Sequence, residues 1–120
     1  MPPIPIRWSS LVNALRQAWR GHRVYGNPPF VHQIMLDTLR HGYAEFLKAP
    51  LSSQFLLILP RYFCEHSDAQ ALLAEWDLLE VIPRGSAAFL ATGDKYMGPT
   101  RWDTFVVGLG YGTFYRRRSV

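Results

Sequence analysis

The chain is short of sulfur, of acid at its start and of long apolar runs. Its single cysteine, Cys64, allows no internal disulfide, which excludes the framework of a small secreted scaffold and points to a reducing compartment. No apolar run approaches the ~18 residues of a membrane span, so no membrane-crossing helix is expected. Residues 1–36 contain no Asp or Glu, while Arg7, Arg16, Arg20 and Arg23 fall among them. That composition resembles an organellar transit peptide and sets an organelle beside the nucleus and cytoplasm as an expected intracellular address. Lysine is scarce too, since eleven of the thirteen basic residues are Arg. Arg forks onto phosphates and stacks on bases, so the net charge of +4 and pI near 9.6 favour an acidic partner such as RNA.

What is present is globular. With 120 residues, 48% of them hydrophobic and 18% charged, the chain has the size and composition of one domain with its own core. Residues 1–22 read as an N-terminal extension and helix, and residues 111–120 as a basic tail. The three prolines within Met1–Ile6 make that stretch an extended lead-in. Trp8, Leu11, Val12, Leu15 and Trp19 then recur at helical spacing until Gly21. Arg23 to Tyr25 reads as a short strand. Ile34, Met35, Thr38, Leu39, Gly42, Tyr43, Phe46 and Leu47 keep a 3.6-residue period up to Ala49-Pro50.

Phe55 to Leu59 is a continuous apolar run closed by Pro60, the pattern of a strand covered on both faces. Ser67 to Trp76 predicts a further helix. Leu78 to Ile82, Ala87 to Ala91 and Thr104 to Gly108 predict strands, the last two closing as a hairpin. Alternation of this kind predicts an α/β layer architecture, mostly parallel, with a closing antiparallel hairpin.

Between the first strand and the long helix stands Asn27-Pro28-Pro29-Phe30. A Pro-Pro pair can simply break the chain ahead of a helix, with Phe30 in the core. Yet an Asn-Pro-Pro-aromatic run arises by chance in well under ~1% of chains this long, and this one sits where α/β enzymes hold their ligands. Its chemistry suits a delocalised amine such as the exocyclic nitrogen of adenine. Two fixed acceptors, the Asn27 side-chain carbonyl and the Pro28 backbone carbonyl, would hold both N–H groups and aim the lone pair at a methyl donor. The prolines stiffen the turn and remove competing N–H groups. Phe30 offers a face on which an extruded base can stack.

Val24-Tyr25-Gly26-Asn27-Pro28-Pro29-Phe30, the helix after it, Phe55 to Pro60 and Phe105-Val106-Val107 together resemble the cap-specific adenosine N6-methyltransferases. These proteins were first described as factors interacting with the phosphorylated C-terminal domain of RNA polymerase II. The resemblance runs from about Arg23 to Leu109, and only the four-residue motif is specific. It implies the C-terminal half of a Rossmann-like methyltransferase fold acting on the mRNA cap-adjacent adenosine. It implies Asn27, Pro28, Pro29 and Phe30 as the catalytic motif and S-adenosylmethionine as cofactor. Arg84-Gly85-Ser86 resembles a substrate segment of that family, although Ala87 and Ala88 follow where the family is polar.

The 26 residues before Asn27 hold one predicted helix and no glycine-rich loop, so most of the cofactor site is expected on a missing N-terminal half or a protein partner. Gly108-Leu109-Gly110-Tyr111-Gly112 has G-x-G-x-G spacing, but eight residues remain beyond it, too few for the helix such a loop opens. It is read as a glycine-rich strand end. Arg61 and Tyr62, directly after Pro60, and Arg84, Lys95 and Arg101 are candidate RNA contacts, with surface Arg and a packed Tyr as the plain alternative. Arg116-Arg117-Arg118 reads as a solvated tail. Cys64 and His66 offer two ligand types with no second cluster, so no metal is expected. Either the chain is a methyltransferase-like domain inactive alone, or it is a non-catalytic remnant serving as a structural, RNA-contacting subunit of a ribonucleoprotein.

Overall fold

The computed structural model describes residues 4–5, 11–85, 87–89, 96–99 and 103–111, with side chains over 14–85 and 103–111. In chain order the elements are β1 (Ile4–Pro5), α1 (Leu11–Arg16), β2 (Arg23–Gly26), α2 (His32–Lys48), β3 (Gln54–Pro60), α3 (Arg61–Cys64), α4 (Ser67–Leu73), β4 (Asp77–Ile82), β5 (Ala87–Phe89), β6 (Tyr96–Pro99) and β7 (Thr104–Leu109). Five strands form one mixed sheet in the order β1-β2-β3-β7-β4. β1, β2 and β3 are mutually parallel, while β7 runs antiparallel to both β3 and β4. Four strands therefore share one direction and β7 alone is reversed.

The apolar run of β3 becomes the central strand. Phe55, Leu57 and Leu59, all fully buried, alternate onto the face that meets Met35, Leu39 and Phe46 of α2, with Val107 and Leu109 of β7 beside them. Ile58 and Val106, register partners across the strands, are buried on the opposite face. Burial on both faces is what a continuous apolar run anticipates.

Three expectations are corrected. The first helix ends at Arg16 and does not reach Gly21, because Glu45 of α2 captures the chain beyond it. Glu45 Oε1 accepts the Trp19 N–H at 2.9 Å and the Arg20 N–H at 3.4 Å, and Trp19 is fully buried as a plug, edge-on to Phe55 and His41. Gly21, at φ 77°, then turns the chain, its N–H donating to Ser53 Oγ at 2.8 Å.

The closing hairpin also differs. β5 pairs with β6 in a separate two-stranded ribbon, and β7 runs into the main sheet between β3 and β4. The apolar residues of β7 find larger buried neighbours there than a local hairpin offers. Finally, Leu47 is exposed, because the buried face of α2 runs through Met35, Thr38, Leu39, Gly42, Glu45 and Phe46. No helix among the described residues is long and apolar enough to cross a membrane.

Candidate functional site

Parallel pairing of β2 with β3 decides where the Asn-Pro-Pro-Phe turn lies. Gly26 registers with Leu57, so the turn and Arg61–Tyr62 leave the sheet by the same edge. Ile82, at the end of β4, pairs with Thr104 at the start of β7, exactly as Pro60 does, which brings Arg84 to that edge as well.

Within the turn, Pro28 is fully buried. The Pro29 carbonyl accepts the Val31 N–H at 2.7 Å, and the Val31 carbonyl accepts the Met35 N–H at 3.0 Å, which starts α2. The turn's own bond thus uses Pro29 and not Pro28. Phe30 is half-buried and packs against the core. Asn27 Oδ1 is buried and has no hydrogen-bond partner among the described residues. An acceptor left in that state costs about 1–3 kcal/mol, which a well-packed chain normally avoids.

Arg61, Tyr62 and Arg84 converge on an open cleft of about 390 Å³, completed by Glu65 and Asp103. Asp103 organises it. Its Oδ2 accepts from Arg61 Nη1 at 3.2 Å, its Oδ1 from the Arg84 backbone N–H at 2.8 Å, and its own carbonyl from the Arg61 N–H at 2.8 Å. The Arg84 N–H and the Arg61 guanidinium hold the Asp103 carboxyl below its ordinary value. Two arginines meet two carboxylates here, so the cleft is electrically mixed, and Asn27 and Phe30 do not line it. Lys95, Arg101 and residues 116–118 lie outside the described residues.

Cys64 is buried and faces an apolar pocket of about 270 Å³ with Leu73, Trp76, Leu78, Phe105 and Val107. Burial, with Glu65 nearby, pushes its thiol up to about 11, so it is a packed side chain and no nucleophile. The glycines at the end of β7, Gly108 and Gly110, are packing residues too. A Cβ on Gly108 would come within 2.7–2.9 Å of Leu79, the Phe55 carbonyl and Tyr111. One on Gly110, at φ 86°, would collide with the Ser53 carbonyl. This segment therefore does not fit a cofactor cradle.

A cluster that sequence spacing did not reveal lies at the same edge. His32 opens α2, while His66 and Asp68 flank the start of α4. His32 Nε2 donates to Asp68 Oδ2 at 2.9 Å, and the His32 and His66 rings meet edge-on at 4.8 Å. Bonding to His32 comes first among the interactions that hold the Asp68 carboxyl below its ordinary value. His66-x-Asp68 was the only local signal, since His32 stands 34 residues from His66.

No family model and no curated protein matches this chain.

Proposed function

We propose that the chain is the adenine-presenting part of an RNA adenosine N6-methyltransferase-like domain, acting within the cell on a cap-adjacent adenosine. The observation that carries this reading is the buried, unpartnered Asn27 Oδ1 at the end of β2. It is a buried acceptor with no partner among the described residues, as a position for an incoming N–H donor would need. The stiff Pro28-Pro29 turn and the partly accessible Phe30 ring support the same role, as does a sheet in which only the last strand is reversed.

In this reading the groups that bury Asn27 Oδ1 and Pro28 move aside to admit the base; the two carbonyls then take the amine hydrogens, and the nitrogen lone pair is left free to attack a sulfonium methyl group. Phe30 holds the base plane. Arg61 and Arg84 stand along the same edge, where they suit a neighbouring phosphate. S-adenosylmethionine is the implied methyl donor, but Gly108 and Gly110 at the end of β7 are closed in by Leu79, Phe55, Tyr111 and Ser53. The donor's site therefore falls to an upstream segment or a partner protein.

Two measurements test the reading. The purified chain should not bind S-adenosylmethionine at micromolar affinity by calorimetry, and such binding would overturn the division of labour. Supplied with the donor-binding segment or partner, it should transfer methyl groups to RNA, and Asn27→Ala should abolish the transfer. Normal turnover by that variant would remove Asn27 from the mechanism.

One observation favours a second reading, a non-catalytic subunit of a ribonucleoprotein. β4 is an edge strand, and its Leu78, Leu79 and Val81 are exposed. Such an edge suits a permanent neighbour. Salt-sensitive RNA binding that survives Asn27→Ala would support this role over the catalytic one.

A further inference from the structure

We propose that His32, His66 and Asp68 form a binding site for a divalent transition-metal ion of the zinc type. The three side chains offer two imidazole nitrogens and one carboxylate oxygen, all within 4.8 Å of one another. They come from two separate helix starts, so the backbone, and not chance contact along one segment, brings them together.

The donor set selects the ion. Two imidazoles with one carboxylate match the ligands of Zn²⁺ and its neighbours Co²⁺ and Ni²⁺, whereas Ca²⁺ and Mg²⁺ take oxygen. Tetrahedral bonds of about 2.0–2.2 Å require donor atoms roughly 3.3 Å apart. His32 Nε2 and Asp68 Oδ2 already stand 2.9 Å apart. His66 must close the remaining distance, and as an exposed residue ahead of α4 its ring is free to turn.

The His32 ring is backed edge-on by Phe63 at 5.2 Å, which orients one ligand before the ion arrives. Bringing in the ion replaces the hydrogen on His32 Nε2 and the hydrogen bond it makes to Asp68. Three protein ligands leave a fourth position for water or an oxygen of a bound molecule. The ion would also tie the start of α2, directly after the Asn27 turn, to the start of α4. This inference does not depend on the methyl-transfer reading.

Calorimetric titration of the full, tag-free chain with ZnCl₂ tests it. The expected result is one ion per chain, a higher melting temperature with zinc, and binding weakened at least about tenfold by His66→Ala or Asp68→Asn. His66 and Asp68 are exposed, so both variants should keep the wild-type circular dichroism spectrum. Cys64→Ala should bind as wild type does. Absence of saturable binding up to on the order of 1 mM would overturn the proposal. So would unchanged affinity in His66→Ala, or binding that disappears with Cys64→Ala alone.

Discussion

Glu45 is the buried carboxylate on which the N-terminal third of the structure turns. Only 4% of the residue is exposed, and Lys48 Nζ donates to its Oε2 at 2.9 Å, while Trp19 and Arg20 donate backbone N–H groups to Oε1. Burial pushes this carboxyl up, but the bonds from Lys48, Trp19 and Arg20 outweigh it and hold the group down to about 2, against 4.5 unperturbed. A folded-state value below the unfolded one means stability that is complete above pH 4.5 and is lost as pH falls towards 2. The melting temperature should fall across that window, and Glu45→Gln should flatten the dependence while lowering stability at neutral pH. A wild-type acid profile in Glu45→Gln would show that another group carries it.

At this scale the sequence was legible in one place and silent in others. Asn27-Pro28-Pro29-Phe30 stands out because four neighbouring residues carry it. Glu45 looked like any helical acid paired with a lysine one turn on, because the backbone N–H groups of Trp19 and Arg20 lie 26 and 25 positions away and only the fold brings them close. His66 was weighed from sequence only beside Cys64, because His32 lies 34 positions away and only the fold brings it to His66 and Asp68. Arg61, Tyr62 and Arg84 were named from sequence as candidate RNA contacts; that they share one cleft, and that the Asp103 carboxylate joins the two arginines there, comes from the fold alone.

Among the elements, α2 is the one on which the others are stacked. Gly42 lies in its middle, where a Cβ would stand 2.9 Å from the Trp76 ring and 3.0 Å from the Trp19 ring. Glycine is unfavourable within a helix, so its presence here reflects the two indoles that close over it. Gly42→Ala should therefore destabilise the fold by about 1–3 kcal/mol despite the gain in helix propensity, measurable by urea unfolding. A stabilised variant would mean that the indoles yield freely.

The elements best read from sequence were β2, α2 and β3, whose apolar spacing coincides with the burial they receive. Residues 17–20 kept a helical pattern yet left the helix, because the Glu45 side chain offers their N–H groups a competing acceptor. The four residues of α3 are too few to show a period, and the β5–β6 ribbon is set by pairing that no local pattern specifies. The insertion of β7 between β3 and β4 is likewise a matter of topology, not of local preference.

Among the described residues the main sheet ends in β4, which has no strand on its outer side. β4 carries Leu78, Leu79 and Val81 exposed at 56%, 39% and 46%, beside a shift of register between Leu78 and Glu80. The isolated chain should associate through this edge as its concentration rises, and Val81→Lys should reduce that association in sedimentation velocity. A wild-type chain that stays monomeric at every concentration would argue against β4 as a contact surface.

The central claim concerns the buried acceptor at Asn27, and it can be tested on the chain as it is. Two capped RNA oligonucleotides, identical except for adenosine or guanosine next to the cap, are titrated in parallel by fluorescence anisotropy with the wild-type chain and with Asn27→Ala. The prediction is that wild type prefers the adenosine RNA and that Asn27→Ala weakens this RNA alone, by about tenfold or more, as expected for loss of a hydrogen bond to a buried acceptor. Equal affinity of wild type and variant for the adenosine RNA would contradict it.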